Sequence, residues 1–436
     1  MKDVLIENFI RISRIPRMSG DEKQISDFFV NIAKNNKLYY FQDENNNVLI
    51  RKKGNVDGDS IAFQAHLDMV CVKAKNSSHD FKLDGIDVIV DGDTVTAKDT
   101  SLGADQGVGL AIMLTLLEDT TLKHPDLEFL FTVEEETTFK GVVTFSYDKV
   151  QSKKIINLDY CRDDSVVIGS TGDILNEYTF ISNLVKCNLP SYRITIDRFP
   201  GGNSGENIEL SSNNAITTMA RILEGKDIYL QSINGGTFEN DLATSCEVIL
   251  QTELNVYELL REQNAKIERI NTNYSFSKEN SKKIIDEIIN LKCGYISNNN
   301  ASGNIGIIKT INNEIKIYYI FRSIDENELE IINNETIKLG NNFKVDKIYT
   351  DFIWHPNNHS KLLKEYRETY HNKYNEYPKE VIGQGGTECS SIIKRLPDID
   401  IISIGANMEK FHTINETTYI SSWTKIYDLL IKLLNN

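Results

Sequence analysis

Five stretches of this 436-residue chain set metal-ligating or proton-transferring side chains beside apolar runs. His66 and Asp68 follow the run at 61–65, and Asp105 sits in a glycine-rich turn, 101–109, ahead of the apolar stretch 110–117. Glu134, Glu135 and Glu136 follow 129–133, Asp159 follows 155–158, and His412 lies just beyond the run 401–405. Strand residues two apart face the same side, so His66 and Asp68 can point together from one strand end. A carboxylate commonly fixes the second ring nitrogen of a metal-bound histidine. By itself this pair fits a hydrogen-bonded structural histidine better than a ligand. Asp105 is open to two readings, a ligand or a helix N-cap; its neighbouring glycines do not have a phosphate-binding spacing. Three acids at a buried strand end repel one another and need a cation or a proton, unless the strand simply emerges into solvent there.

Recurrence carries more weight than any one stretch. In open α/β sheets ligands bind beyond the carboxyl ends of the strands, and histidine, aspartate, glutamate, aspartate and histidine all fall there in turn. Two imidazoles and three carboxylates suit a pair of zinc ions, one carboxylate bridging.

The elements that must position these groups follow from the hydrophobic pattern. Ser19 to Glu22 marks a helix start, with Ile25, Phe28, Phe29, Ile32 and Ala33 at helical spacing. Strands are predicted at 48–50, 61–65, 127–133 and 155–158, with a helix over 110–117. This alternation predicts an α/β domain with a mostly parallel sheet flanked by helices. From about residue 186 the texture changes. Strands are predicted at 191–197, 228–232, 246–251, 315–321 and 343–350, with helices over 256–270 and 326–339; this reads as an inserted α+β unit with an antiparallel sheet. The segment 271–304 is rich in Asn, Ser and Lys and is expected to include an exposed loop. After Trp354 a helix at 360–373 and a strand at 399–404 resume the first pattern. The expected division is therefore 1–185 and 353–436 for a catalytic domain interrupted by 186–352.

Composition sets the outer bounds. Hydrophobic residues make up 40% and charged residues 25%, as in ordinary globular chains. A formal net charge of −15 argues against a nucleic-acid or anionic-membrane partner. No apolar run reaches the ~18 residues of a membrane span. The opening residues carry acids and amphipathic spacing, which predicts a helix rather than a secretory signal, and a cytoplasmic location. The six cysteines form no CxxC pair, so free thiols are expected rather than a thiolate metal site.

In this order the residues resemble the M20 family of metallopeptidases, most closely its aminoacyl-histidine dipeptidase branch. The likeness rests on Ala65 to Cys71, Asp91-Gly92-Asp93, Val95-Thr96-Ala97, Leu102 to Asp105, Thr132 to Glu136 and Ile156 to Asp159. It extends through Gly201-Gly202, Phe321-Arg322-Ser323 and Thr387-Glu388-Cys389. The resemblance implies a zinc-peptidase domain with an inserted lid, acting on dipeptides, of Xaa-His type or broader. It also implies two zinc ions per chain, cobalt or manganese being alternatives. Asp105 would bridge the ions, His66 and Asp159 completing one site and Glu136 and His412 the other. Asp68 would orient His66, and Glu135 would act as general base, taking a proton from the attacking water and passing it to the leaving amine. Arg322, Asn203 and Glu388 would contact substrate, and family lids often form dimer contacts, which allows a homodimer. Two positions depart from the family. Asn203 stands where the lid motif usually carries a histidine that helps stabilise the oxyanion, and Gln384 replaces the branch's histidine near Glu388. These departures leave open a slow, metal-bearing peptide-binding protein, or a hydrolase of tripeptides or N-acyl amino acids.

Overall fold

The computed structural model describes residues 1–205, 207–297, 301–340 and 342–435. The chain divides into two compact units, the first comprising Met1–Gly169, His355–Ile382 and Thr387–Asn436, the second Ser170–Trp354 with Gly383–Gly386.

The first unit is built on an eight-stranded sheet. Its strands run in the order Tyr39–Gln42, Val48–Lys52, Leu127–Thr132, Ile61–His66, Lys154–Asn157, Asp400–Ser403, Ser165–Ser170 and Lys379–Gly383. The four central strands, Leu127–Thr132 to Asp400–Ser403, pair in parallel, whereas Val48–Lys52 and Ser165–Ser170 join them antiparallel. The predicted α/β class is therefore observed, with the parallel part at the centre. Helix Ala104–Glu118 packs against helices Lys2–Ser13 and Ile420–Leu434 and strand Ile61–His66. Enclosure on these sides explains why 110–117 carries almost no polar residue. The exception, Thr115, is satisfied by the Asn8 amide at 3.0 Å and by its own bond to the Ala111 carbonyl at 2.8 Å.

Register brings the chemistry together. In the parallel pairing His66 lies opposite Thr132, and Gln64 lies opposite Asn157. The residues that follow each strand therefore leave the sheet at one level: 67–68 beside 133–136, and Asp159 two residues past Asn157. The exit of the neighbouring strand passes so close that a Cβ on Gly405 would stand 1.7 Å from the Tyr160 carbonyl oxygen, so only glycine fits there.

The second unit holds a nine-stranded sheet whose assigned pairings are antiparallel. It begins earlier than residue 186. Strand Gly172–Ile181 pairs with Glu314–Ser323 and Lys344–Thr350, so its backbone belongs to this sheet. One local expectation is corrected. The segment 256–270 is not one helix: Val256–Leu259 makes a single helical turn, and Lys266–Ile270 is a strand paired with Ser191–Ile196. Ile267 and Ile270 are three apart and read as helical, but the sheet edge supplies backbone partners and an Arg193–Glu268 ion pair at 2.8 Å. The Asn-rich segment contains the 13-residue helix Lys278–Asn290, capped by the Ser277 hydroxyl and burying Ile284, Ile285 and Ile288. Residues 298–300 of that segment lie outside the described residues. No described helix is long and apolar enough to cross a membrane.

That helix also buries Glu287, 3% exposed, whose Oε1 has no hydrogen-bond partner. Burial pushes its carboxyl up to about 7. The folded value lies above the unfolded one, so its contribution is complete below about pH 4.5 and is lost as pH rises through about 7. Glu287→Gln should therefore raise stability at pH 8 by on the order of 1–3 kcal/mol and change it little at pH 4.5, as read from urea midpoints at both values.

Candidate metal centre

Within the first unit, ligand atoms of His66, Asp105 and Glu136 lie within 4.8 Å of one another. His66 Nε2 is 3.3 Å from Asp105 Oδ1. His412 closes the other side, its Nε2 standing 3.4 Å from Asp105 Oδ2 and 3.2 Å from Glu136 Oε1. Asp105 therefore faces both imidazoles, one through each oxygen. Asp159 is not in the tight three-residue group; it accepts a hydrogen bond from the Gln106 amide and lies within Coulombic reach of Asp105 and His66.

The Asp105 carboxylate is turned to His66, His412 and the Gln106 side-chain amide, which favours the ligand reading over the N-cap. Gly103 holds the cap position with a left-handed φ of +67°, and Asp105 sits inside the first turn in a non-helical conformation. Of the three glutamates after strand Leu127–Thr132, only two face the cluster. Glu134 adopts a left-handed φ of +52° and turns away to Lys140, 3.1 Å distant, and the Thr138 hydroxyl. Repulsion at this strand end is thus between Glu135 and Glu136, joined by Asp159, rather than among three neighbours.

Asp68 is closed to solvent and fully used. It accepts the Ser19 hydroxyl at 2.7 Å and the backbone N–H groups of Glu135 and Glu136 at 3.0 and 3.1 Å, and its Oδ1 lies 3.4 Å from His66 Nδ1. One carboxylate therefore sets the distance between the His66 strand and the Glu135–Glu136 turn.

Electrostatics shows what the cluster lacks. Burial alone would pull the His66 pKa down, but hydrogen bonds to Asp105 and Asp68 and the nearby Glu135 carry it well above its ordinary value. Burial opposes protonation of His412 too, yet Asp105 and Glu136 raise it to about 11. Burial would raise Asp105, but the two imidazoles hold it far below the carboxylate range. Glu135 is driven well upward by burial, and by Glu136 and Asp159 against the pull of His66; Asp159 is raised by burial and by Asp105. The carboxylates thus recruit positive charge wherever they can. His412 Nε2 and Glu136 Oε1 face each other at 3.2 Å, yet neither makes a hydrogen bond. Buried imidazole and carboxylate lone pairs converging without satisfied partners are a donor set that fits a hard or borderline divalent cation.

Beneath the cluster runs a polar layer that sequence reading missed. The Gln64 amide donates to Thr132 at 3.1 Å and to Glu388, and its oxygen accepts from Asn157 at 2.6 Å. Asn157 accepts in turn from Ser403 and from the Asp159 backbone N–H. Glu388, expected to contact substrate, is fully buried and bonded to Gln64; burial pushes its carboxyl up to about 7. A polar residue, Gln64, inside an apolar run was the available signal.

The other two expected substrate contacts belong to the second unit. Arg322 is 2% exposed, with its Nε 3.5 Å from Asp173 Oδ2 and its Nη1 3.1 Å from Ser204 Oγ. Asn203 uses its side-chain oxygen to accept the Gly205 N–H at 2.8 Å.

Residues 62–436 match Peptidase family M20/M25/M40. The chain belongs to this family. It is accordingly a peptide-bond hydrolase, and the described donor set lies in the matched region. The M20 chain is 28% identical to the cytosol non-specific dipeptidase of Escherichia coli (strain K12), over 98% of its own length and 96% of the relative. Its fold resembles the aminoacylhistidine dipeptidase of Vibrio alginolyticus, with TM-score 0.76, 24% identity, and 99% and 96% of the two chains covered. It also resembles a tripeptidase from Staphylococcus aureus, with TM-score 0.67, 16% identity, and 100% and 98% covered.

Removing the Asp68 carboxylate strips the acceptor from two backbone N–H groups and a hydroxyl in a closed environment. Asp68→Ala should cost about 3–5 kcal/mol of stability, measured by urea denaturation of metal-free protein at pH 7. An unchanged midpoint would mean that the cluster's framework does not depend on it.

Proposed function

We propose that this peptidase is a cytoplasmic dipeptidase carrying two zinc ions, His66 and Asp159 serving one, Glu136 and His412 the other, and Asp105 both. The observation that carries the reading is Asp105, whose two oxygens are aimed at two different imidazoles. Whole-length similarity to a cytosolic dipeptidase supports the substrate class and the compartment. When bound, zinc supplies an acidified water and polarises the scissile carbonyl.

The chain's own groups supply the rest. Asp68 holds His66 by Nδ1, which leaves Nε2 directed at the cluster. Glu135 lies beside a ligand without belonging to the tight group, its Oε2 4.0 Å from His66 Nε2. Its raised proton affinity suits a group that takes a proton from water and returns it to the leaving amine. The reading keeps Arg322 as the partner of the peptide's terminal carboxylate and Asn203 as a neutral amide donor. It drops Glu388 as a substrate contact because that side chain is enclosed in the polar layer.

Elemental analysis should find about two zinc ions per chain, and chelation should abolish release of amino acids from dipeptides until zinc is restored. Glu135→Gln should lower kcat by about 10²–10⁴-fold with zinc content unchanged; an active variant would sink the assignment. Across a panel of dipeptides, tripeptides and acetylated amino acids, dipeptides should show the highest kcat/KM. Preference for either other class would replace the substrate assignment, and background rates throughout would favour a peptide-binding protein.

Arg322→Ala should raise KM for dipeptides at least about tenfold. An unchanged KM would remove Arg322 from the substrate contacts.

A further inference from the structure

One buried carboxylate outside the ligand set is held at both oxygens by backbone amides. Glu416 is 3% exposed, and its two oxygens accept three consecutive backbone N–H groups: Leu102 at 2.7 Å, Gly103 at 3.0 Å and Ala104 at 2.8 Å. Successive amides converging in this way make an anion-binding nest, here at the start of helix Ala104–Glu118, whose dipole also favours negative charge. The location matters as much as the strength. Ala104 immediately precedes Asp105, and Glu416 lies four residues after His412. The bond therefore ties the turn that presents Asp105 to the segment that presents His412, where the two side chains approach to 3.4 Å.

A second buried charge grips the same turn from the other side. The Arg17 guanidinium donates to the carbonyls of Asp68 at 2.6 Å, Leu67 at 3.2 Å and Gly103. It thereby joins the strand end that carries His66 to the turn that carries Asp105. Gly103 is held at both of its backbone groups, its N–H by Glu416 and its carbonyl by Arg17. A Cβ there would lie 2.5 Å from Arg17 Nη2, and the residue's φ is +67°, so only glycine can occupy the point where the grips meet.

Burying a guanidinium and a carboxylate is an inefficient way to gain stability, because apolar packing of similar volume does as well. What charged, multidentate bonds provide is placement, and a metal site needs its ligands held to within about 0.5 Å. We propose that Glu416, with Arg17 opposite it, is a positioning residue that sets Asp105 and His412 at metal-binding separation. This inference rests on the metal-centre reading above.

The test measures metal affinity apart from folding. Full-length wild type, Glu416→Gln and Glu416→Ala are stripped of metal, checked by circular dichroism and thermal unfolding, and titrated with zinc against a chromophoric chelator. The expected result is a zinc Kd raised about 10–100-fold in Glu416→Ala and less in Glu416→Gln, which keeps one acceptor oxygen, with the apo-proteins folded. Folded variants that bind zinc as tightly as wild type overturn the inference and leave the metal centre standing. A wild type that takes up no zinc overturns the metal-centre reading, and this inference with it. Should the variants not fold, amide exchange in the wild type decides the matter. Zinc should slow exchange of the Leu102, Gly103 and Ala104 amides, and unchanged rates there would overturn the proposal.

Discussion

Mutual repulsion of buried carboxylates is the constraint around which the first unit is organised. Asp105, Glu135, Glu136 and Asp159 converge where the parallel strands end, with Asp68 and Glu388 just beneath, and only two imidazoles face them. Each carboxylate that can find a compensating group does so. Asp68 takes two backbone amides and a hydroxyl, Glu388 takes the Gln64 amide, and Asp105 takes two histidines at once. Glu135, Asp159 and one oxygen of Glu136 are left undercompensated. Such an excess of negative charge in a closed site is costly unless a cation enters. The acids, the imidazoles and their poor mutual hydrogen bonding thus have one explanation.

That excess also accounts for the way the surrounding backbone is spent. Parallel register already brings 66–68, 133–136 and 157–159 to one level. Asp105 and His412 come instead from outside that register, from the first turn of helix Ala104–Glu118 and from the stretch after Met408–Glu409. These are the segments held by charged side chains bonding to main-chain groups, Glu416 to amides and Arg17 to carbonyls. Where sheet register does the positioning, neutral side chains such as Gln64 and Asn157 suffice to brace it.

The difference governs what could be read from sequence. His66, Glu136 and Asp159 were legible because each closes an apolar run, and the period of a strand says where its end points. The antiparallel second sheet was legible for the same reason at 246–251 and 315–321. Strand Gly172–Ile181 was assigned to the wrong side of the division because its membership is decided by partners more than 130 residues away. The strand Lys266–Ile270 reads as helix because its isoleucines lie three apart, a helical spacing, while the strand that pairs with it is remote in sequence. Arg17 and Glu416 were invisible, since a lone charge in a turn gives no local sign that it will be buried against the backbone of a distant segment.

The division of the chain into two units bears on the departures at Asn203 and Gln384. Every member of the donor set, and every side chain that braces it, belongs to the first unit, whereas both departures fall in the second. The resemblance implies an imidazole at both positions, and its replacement would remove a cationic donor without altering any residue of the donor set or its support. Within the second unit Asn203 is itself held, its side-chain oxygen engaged by the Gly205 N–H, so the amide is oriented rather than idle. A neutral amide can still donate to a developing oxyanion but adds no formal charge to it. On the proposed reading, metal retention and substrate turnover are therefore separable, since the donor set and the two departures fall in different units.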